Sequence, residues 1–357
     1  MSGDEFEAEK YKGIDEKRLD EILSNLSKVK AALIGDICLD IYWKADMTKS
    51  ELSRETPHFP LPVVEEWMSP GAGGNAAANI ASLKPAGIYL IGVVGKDWRG
   101  EALIQELDRR NIDTGGIITG SKWITNAYCK PYRRGISDVE YEDPRIDFSN
   151  YQPLCREDEE KLVRLLEQTA GQLDVLCVSD QMQYGCITPT VRNKIIALAK
   201  QGLLVVADSR SRIGLYTDVV LKPNEIEGYR AVYTEGDPRK TTFKEQLSAA
   251  KTLADRNNAR VCMTLGSNGC IYAGEGTTVH VPSYCVKPPI DICGAGDTFL
   301  SAFSCALAVG ARGYEAASFA NIASDVTIKK IGITGTASSE EIKARHGEIF
   351  SALYATK

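Results

Sequence analysis

Three residues of little bulk, Gly294, Ala295 and Gly296, lie between Asp291 and Asp297 in the stretch DICGAGDTFLSAF, and an apolar run follows at once. Small residues opening such a run mark a helix start, where unpaired N–H groups and the positive end of the dipole face outward. Glycine and alanine let an anion approach that backbone closely, so the trio suits an oxyanion or phosphate cradle. A carboxylate at Asp297 opposes anion binding unless it takes a proton from an attacking hydroxyl as a phosphoryl group arrives. The same side chain could instead simply cap the helix.

A second small-residue cluster reads SPGAGGNAAANIASL. Gly71, Gly73 and Ala76 fit the loose G-x-G-x-x-A form of a dinucleotide fingerprint, with Asp97 about 20 residues further on as the ribose acid. A nicotinamide oxidoreductase is therefore one reading. Against it, the preceding FPLPVVEEW holds two prolines and reads as an edge strand, where the fingerprint wants a central one. The amide of Asn75 at this second helix start could equally hold sugar hydroxyls. The stretch GVVGKDWRG is not a phosphate-binding Walker loop, because it lacks the hydroxyl residue after Lys96 and the upstream glycine.

The elements that must position these residues alternate. A helix spaced by Leu19, Ile22, Leu23 and Leu26 precedes the strand KAALIGDICLD. Strand GIYLIGVVG, helix GEALIQELDRRN, helix EDEEKLVRLLEQTAG, strand DVLCVSD, helix TPTVRNKIIALAKQ and strand LLVVADS follow. Strands so continuously apolar have no wet face, which argues for a parallel sheet covered on both sides by helices. Ligands collect at the carboxyl ends of such strands, where Asp180, Asp208 and Asn224 stand. Residues 41–70 and 121–148 break the rhythm with aromatics, prolines and β-formers and are expected to make a small β flap. From Thr264 the pattern is a β-meander and then mostly helix.

Composition narrows the partners. The chain has 357 residues, net charge −6 and 43% hydrophobic residues. That acidic balance provides no basic field for nucleic acid or an anionic membrane. The ten cysteines are scattered without a C-x-x-C pair, which fits a reducing, cytoplasmic setting. The start MSGDEFEAEKYKG lacks the basic and apolar regions of a signal peptide, and no apolar stretch reaches the ~18 residues of a membrane helix. Three histidines, at 58, 280 and 346, offer no zinc spacing.

Taken together, the motifs resemble the PfkB, or ribokinase-like, carbohydrate kinases. DICGAGD is similar to their C-terminal signature, GAGGNAAANIASL to their N-terminal glycine motif, KPNEIE to N-x-x-E and TLGSNG to their nucleotide-binding turn. The resemblance runs from about Lys30 to Gly335. It implies a three-layer α/β/α sandwich with a central, mainly parallel sheet and a small β-sheet lid: residues 1–29 an N-terminal helical extension, 30–357 the kinase domain, the lid from about 41–70 and 121–148. It also implies Asp297 as base, with backbone amides of Gly294, Ala295 and Gly296 stabilising the transferring phosphoryl group. Asp40, Gly71, Ala72 and Asn75 would hold the sugar, and Asp36 would be structural. Asn224 and Glu227 would orient Mg²⁺, Glu227 through water. Lys222 would reach a phosphate, unless it is an ordinary solvated lysine. Gly266 and Gly269 would pass the nucleotide and Asn321 would lie near its adenine. Asp291 would either border a monovalent cation such as K⁺ or cap a strand end.

Within the family, GDICLDIYW, NIASL and PRIDF look most like the heptose 7-phosphate kinases of ADP-heptose synthesis. An anionic acceptor would suit the flap residues Lys130, Arg133, Arg134 and Arg145, of which Arg145 lies in the matching motif. Three departures stand out. SDQMQYG lacks the lysine of S-D-Y-x-K-G, DSR (Asp208 to Arg210) replaces D-P-K, and Ile292 replaces a common threonine. The expectation is an ATP-dependent kinase of a sugar or sugar phosphate, with no nucleic-acid or membrane partner, dimeric through the lid. A catalytically silent sugar-binding protein of the same fold is the other alternative.

Overall fold

Unbroken apolar runs do become strands buried on both faces. A computed structural model describes residues 8–137 and 139–355, with side chains up to residue 351. In β2 (Lys30–Gly35) Ala31 and Leu33 join one core cluster and Ala32 and Ile34 the other, the two-residue period of a strand sandwiched between helix layers. β10 (Val175–Asp180) is buried throughout. From one edge the large sheet runs β1 (Glu9–Lys10), β15 (Thr277–Val281), β14 (Cys270–Gly274), β13 (Arg260–Thr264), β12 (Val220–Leu221), β11 (Val205–Ser209), β10, β2, β5 (Gly87–Val94), β6 (Asp113–Thr119). Pairing is parallel from β13 to β6 and antiparallel only across the β13–β14–β15 meander.

One core cluster takes residues from α1 (Glu16–Leu26), α2 (Gly73–Ser82), α3 (Trp98–Asp108), α8 (Ala295–Ala308), α9 (Gly313–Thr327) and α10 (Ser339–Ala355). The other takes them from α4 (Arg156–Thr169), α5 (Pro189–Lys200) and α7 (Phe243–Asn257). The short α6 (Glu225–Val232) follows β12 on the strand-end rim.

The run KAALIGDICLD is not one strand, as its apolar pattern suggests. It breaks at Asp36, whose buried carboxylate accepts N–H bonds from Gln181, Met182 and Cys186 at 2.7–2.9 Å. Beyond the break, β3 (Ile37–Asp46) enters a second sheet ordered β4 (Val63–Ala72), β3, β7 (Asn126–Arg134), β8 (Glu140–Glu142), with β9 (Ile146–Phe148) also on β7. The small sheet therefore starts at residue 37 and its second strand runs to 72, past the expected 41–70. β4 is an edge strand, where Pro60 and Pro62 just before it are tolerated.

The N-terminal extension adds more than its helix. β1 pairs in parallel with β15 and covers that sheet edge. α1 buries Leu19, Ile22 and Leu26 in the core, Arg18 pairs with Glu315 at 2.9 Å, and His346 Nε2 donates to the Ile14 carbonyl at 3.0 Å. All ten cysteines are free thiols. Among the described residues, no helix is long and apolar enough to cross a membrane.

Candidate active site

The N-terminus of α8 is built by Gly294, which holds the N-cap position with φ 79°. A Cβ there would stand 3.0 Å from both Asn75 Nδ2 and Thr334 Cγ2, so the left-handed backbone and the crowding both require glycine. The Ala295 N–H already donates to the Ile292 carbonyl at 3.2 Å. The Gly296 N–H has no acceptor among the described residues. A Cβ built on Gly296 would meet nothing within 4 Å, so open space lies over that helix end. Of the three expected donor amides, then, Ala295 is engaged and Gly296 is available.

Asp297 does not cap its helix. No side chain caps α8, and the Asp297 carboxylate instead accepts from Asn75 Nδ2 at 2.7 Å. Burial pushes its pKa up to about 7; the Asn75 hydrogen bond and Lys222 oppose the shift, while Asp208 and Asp40 add to it. The two glycine motifs thus meet across an α2–α8 contact made of small residues. Thr298 Oγ1 donates to Asn79 Oδ1 at 2.8 Å, and Ser301 Oγ donates to the Ala76 carbonyl at 2.8 Å. Asn75, expected among the sugar ligands, is turned to the carboxylate.

Asp40 is 5% exposed, and its Oδ2 lies 3.1 Å from Lys130 Nζ. Lys130 also donates to the Tyr42 hydroxyl at 3.1 Å, which is 3.1 Å from Thr334 Oγ1. Burial works against the ammonium, but Asp40 and Tyr42 outweigh it and its pKa is raised. A Cβ on Gly71 would stand 2.9 Å from Asp40 Oδ1, so this strand of the lid passes close to the acid. Ala72 turns the chain into α2 at φ 49°. Tyr42 stacks on Trp67 with centroids 5.1 Å apart and on Tyr132 at 6.3 Å.

On the other side lies the nucleotide-motif group. Lys222 is no solvated lysine: it is 3% exposed and pairs with Asp208 at 2.9 Å. Asn224 and Glu227 form a capping box on α6, each side chain accepting from the other's N–H at 2.8 Å. Burial raises the Glu227 pKa to about 7, Asp208 adding to the shift and Lys222 opposing it. Asp208, a strand-end acid that opens the DSR motif, is thus linked by its field to both Glu227 and Asp297.

The remaining expected residues have local tasks. Gly269 needs its φ of 83°, and a Cβ there would strike the Val281 carbonyl at 2.1 Å; Gly266, at φ 55°, opens on free space. Asn321 Nδ2 donates to the Val281 and Pro282 carbonyls at 3.4 and 3.3 Å. Asp291 accepts from the Cys293 and Gly332 N–H groups at 2.9 and 3.0 Å, tying two loops. Arg145 makes a fork on Asp147 at 2.6 and 2.8 Å and lies 4.3 Å from the Tyr128 ring centroid. Asp180 is internal, held by Ser209, Arg212 and Tyr216.

The nicotinamide reading fails on this geometry. Gly71 ends an edge strand antiparallel to β3, not a central parallel strand. Asp97 caps α3 through the Gly100 N–H at 3.0 Å and pairs with Arg99.

Comparison with known proteins decides the family. The model of the pfkB family carbohydrate kinases matches residues 64–340. The chain belongs to this family. As a PfkB carbohydrate kinase it is a phosphotransferase acting on a sugar-type acceptor. It is 29% identical to the bifunctional protein HldE of Trichlorobacter lovleyi over 93% of this chain and 65% of that protein. The corresponding protein of Helicobacter pylori strain Shi470 is 31% identical over 87% of this chain and 65% of its own length. The chain thus spans about 65% of these relatives. Among solved structures, it superposes on Arabidopsis thaliana ribokinase complexed with ribose and ATP with TM-score 0.66 at 19% identity, covering 89% of this chain and 98% of that one. Escherichia coli phosphofructokinase-2 in complex with potassium gives 0.69 at 20% identity, covering 90% and 99%. These likenesses establish the ribokinase-like fold.

Proposed function

We propose that this kinase transfers the γ-phosphoryl group of ATP to a hydroxyl of a sugar phosphate, with Asp297 accepting the hydroxyl proton. The observation carrying this reading is one carboxylate, with its pKa raised to about 7, beside an unpaired amide at an open helix start. A base with that affinity is matched to neutral operation, since about half of it is ionised near pH 7 while it still binds a proton well. The Gly296 amide and the α8 dipole stabilise charge on the transferring group, and Asn75 fixes the rotamer of the base. Asp40, paired with Lys130 at 3.1 Å, accepts from acceptor hydroxyls. Lys222 supplies positive charge at the phosphate end, held in place by Asp208.

The residues present fit Mg·ATP. The open space over Gly296 leaves that helix start accessible to an anion, and Asp208 with Glu227 provides a hard-oxygen donor set of the kind Mg²⁺ takes through water. When bound, Mg²⁺ neutralises phosphate charge. Gly266, Gly269 and Asn321 line the nucleotide end in this reading, and Asp291 borders K⁺.

The acceptor is proposed to be anionic, heptose 7-phosphate being the foremost candidate because GDICLDIYW, NIASL and PRIDF resemble that subgroup. Arg145, exposed on the lid, is the residue to meet its phosphate. The lid also exposes Val63, Val64 and Tyr141, which supports pairing of two lids in a homodimer. An ADP-release screen over heptose 7-phosphate, fructose phosphates, ribose and fructose tests the reading. Turnover confined to the phosphorylated acceptors is expected, and ligand stabilisation without ADP release from any of them contradicts it.

A further inference from the structure

Behind the Asn224 to Glu227 turn the surface folds into a cavity of about 390 Å³ whose lining includes Arg210, Arg212, Arg230 and Arg256, with Glu227 as one wall. Four guanidinium groups around one hollow stand out in a chain of net charge −6. Their pairing separates them. Arg212 is committed to Asp180, with Nε 3.1 Å from each carboxylate oxygen, and to the Met182 and Gln183 carbonyls. Arg210, Arg230 and Arg256 are exposed and form no ion pair within 4.0 Å among the described residues. Arg256 Nε donates to the neutral Asn257 Oδ1 at 3.0 Å. Arg230 feels the field of Asp237, which is itself bound to Arg239 at 3.2 Å. The one acid in the lining, Glu227, already has Oε2 engaged by the Asn224 N–H.

Three guanidinium groups that form no ion pair, on residues lining one hollow, are suited to the tetrahedral oxygens of phosphate, which such groups can bind bidentately. The volume falls within the roughly 300 to 1,000 Å³ of small-molecule sites. We propose that this cavity is a second anion site, separate from the α8 cradle, which takes a small ligand carrying a phosphate group with two or more negative charges.

Inorganic pyrophosphate is the probe, titrated calorimetrically into the full chain and into the double variant Arg230→Gln/Arg256→Gln. Both residues lie outside the candidate active site. The variant is expected to bind pyrophosphate roughly tenfold or more weakly, with unchanged melting temperature in the absence of anion and unchanged kcat. Equal binding by variant and wild type, or no saturable binding by wild type, overturns the proposal; the first result assigns any binding to the α8 cradle alone. Should the Gln variant melt lower, Arg230→Lys/Arg256→Lys keeps the charge but not the fork. Weaker binding than wild type then supports the site, and equal binding refutes it. Binding is read without turnover, so the result is independent of whether the acceptor has been correctly named.

Discussion

At the scale of single residues, the proposed chemistry rests on Asp297 and on what surrounds it. Its carboxylate must be ionised to accept a proton, so kcat/KM is expected to rise with pH through about 7 and then level off. The Asn75 amide stabilises the ionised form through its 2.7 Å hydrogen bond. Asn75→Ala should therefore move the acidic limb of the profile to higher pH as well as lower kcat. A pH–rate series on both proteins checks this; an unmoved limb would mean that another group sets the titration. Asn75 also marks the limit of what the residues alone disclosed. The glycine motif placed an amide at a helix start, but nothing local could say that the amide faces a carboxylate 222 positions away.

The elements explain why these side chains are held so firmly. Lys222 leaves the end of β12 and is locked to Asp208 at the end of β11, two parallel neighbours whose ladder sets the distance. Replacing Lys222 by Met leaves Asp208 buried without its cation, a change expected to destabilise by about 3–5 kcal/mol. Urea unfolding measures it, and a loss well below that range would show that the pair is poorly coupled. The lysine had read as either phosphate ligand or solvated side chain, because one-residue spacing does not report depth. The parallel character of the sheet, by contrast, was legible: the unbroken apolar runs announced the parallel core, and Pro60 and Pro62 announced the lid's edge strand. What hid was the break at Asp36, where the apolar run continues through a turn made by long-range hydrogen bonds rather than by Gly–Pro chemistry.

Across the whole molecule, several carboxylates share a direction. Burial raises Asp36 and Asp325 to about 6 and Asp297 and Glu227 to about 7. Each therefore binds more protons folded than unfolded above the ordinary carboxylate range, and the stability they contribute is lost as pH rises through these values. The unliganded protein should melt lower at about pH 8 than at about pH 5.5, and Asp297→Asn should flatten that slope. Calorimetric melting temperatures test it, a rising trend being the contrary result. The N-terminal extension, which had no visible task in the sequence, closes the sheet edge through β1 and covers the core through α1. The short β1, two residues long, has no periodicity to read. The most direct test of the account is single-turnover ADP release by wild type and Asp297→Asn with the best acceptor of the screen and saturating Mg·ATP. The account predicts a rate lower by roughly two to four orders of magnitude with ATP affinity little changed. A variant that transfers phosphate at the wild-type rate would contradict it.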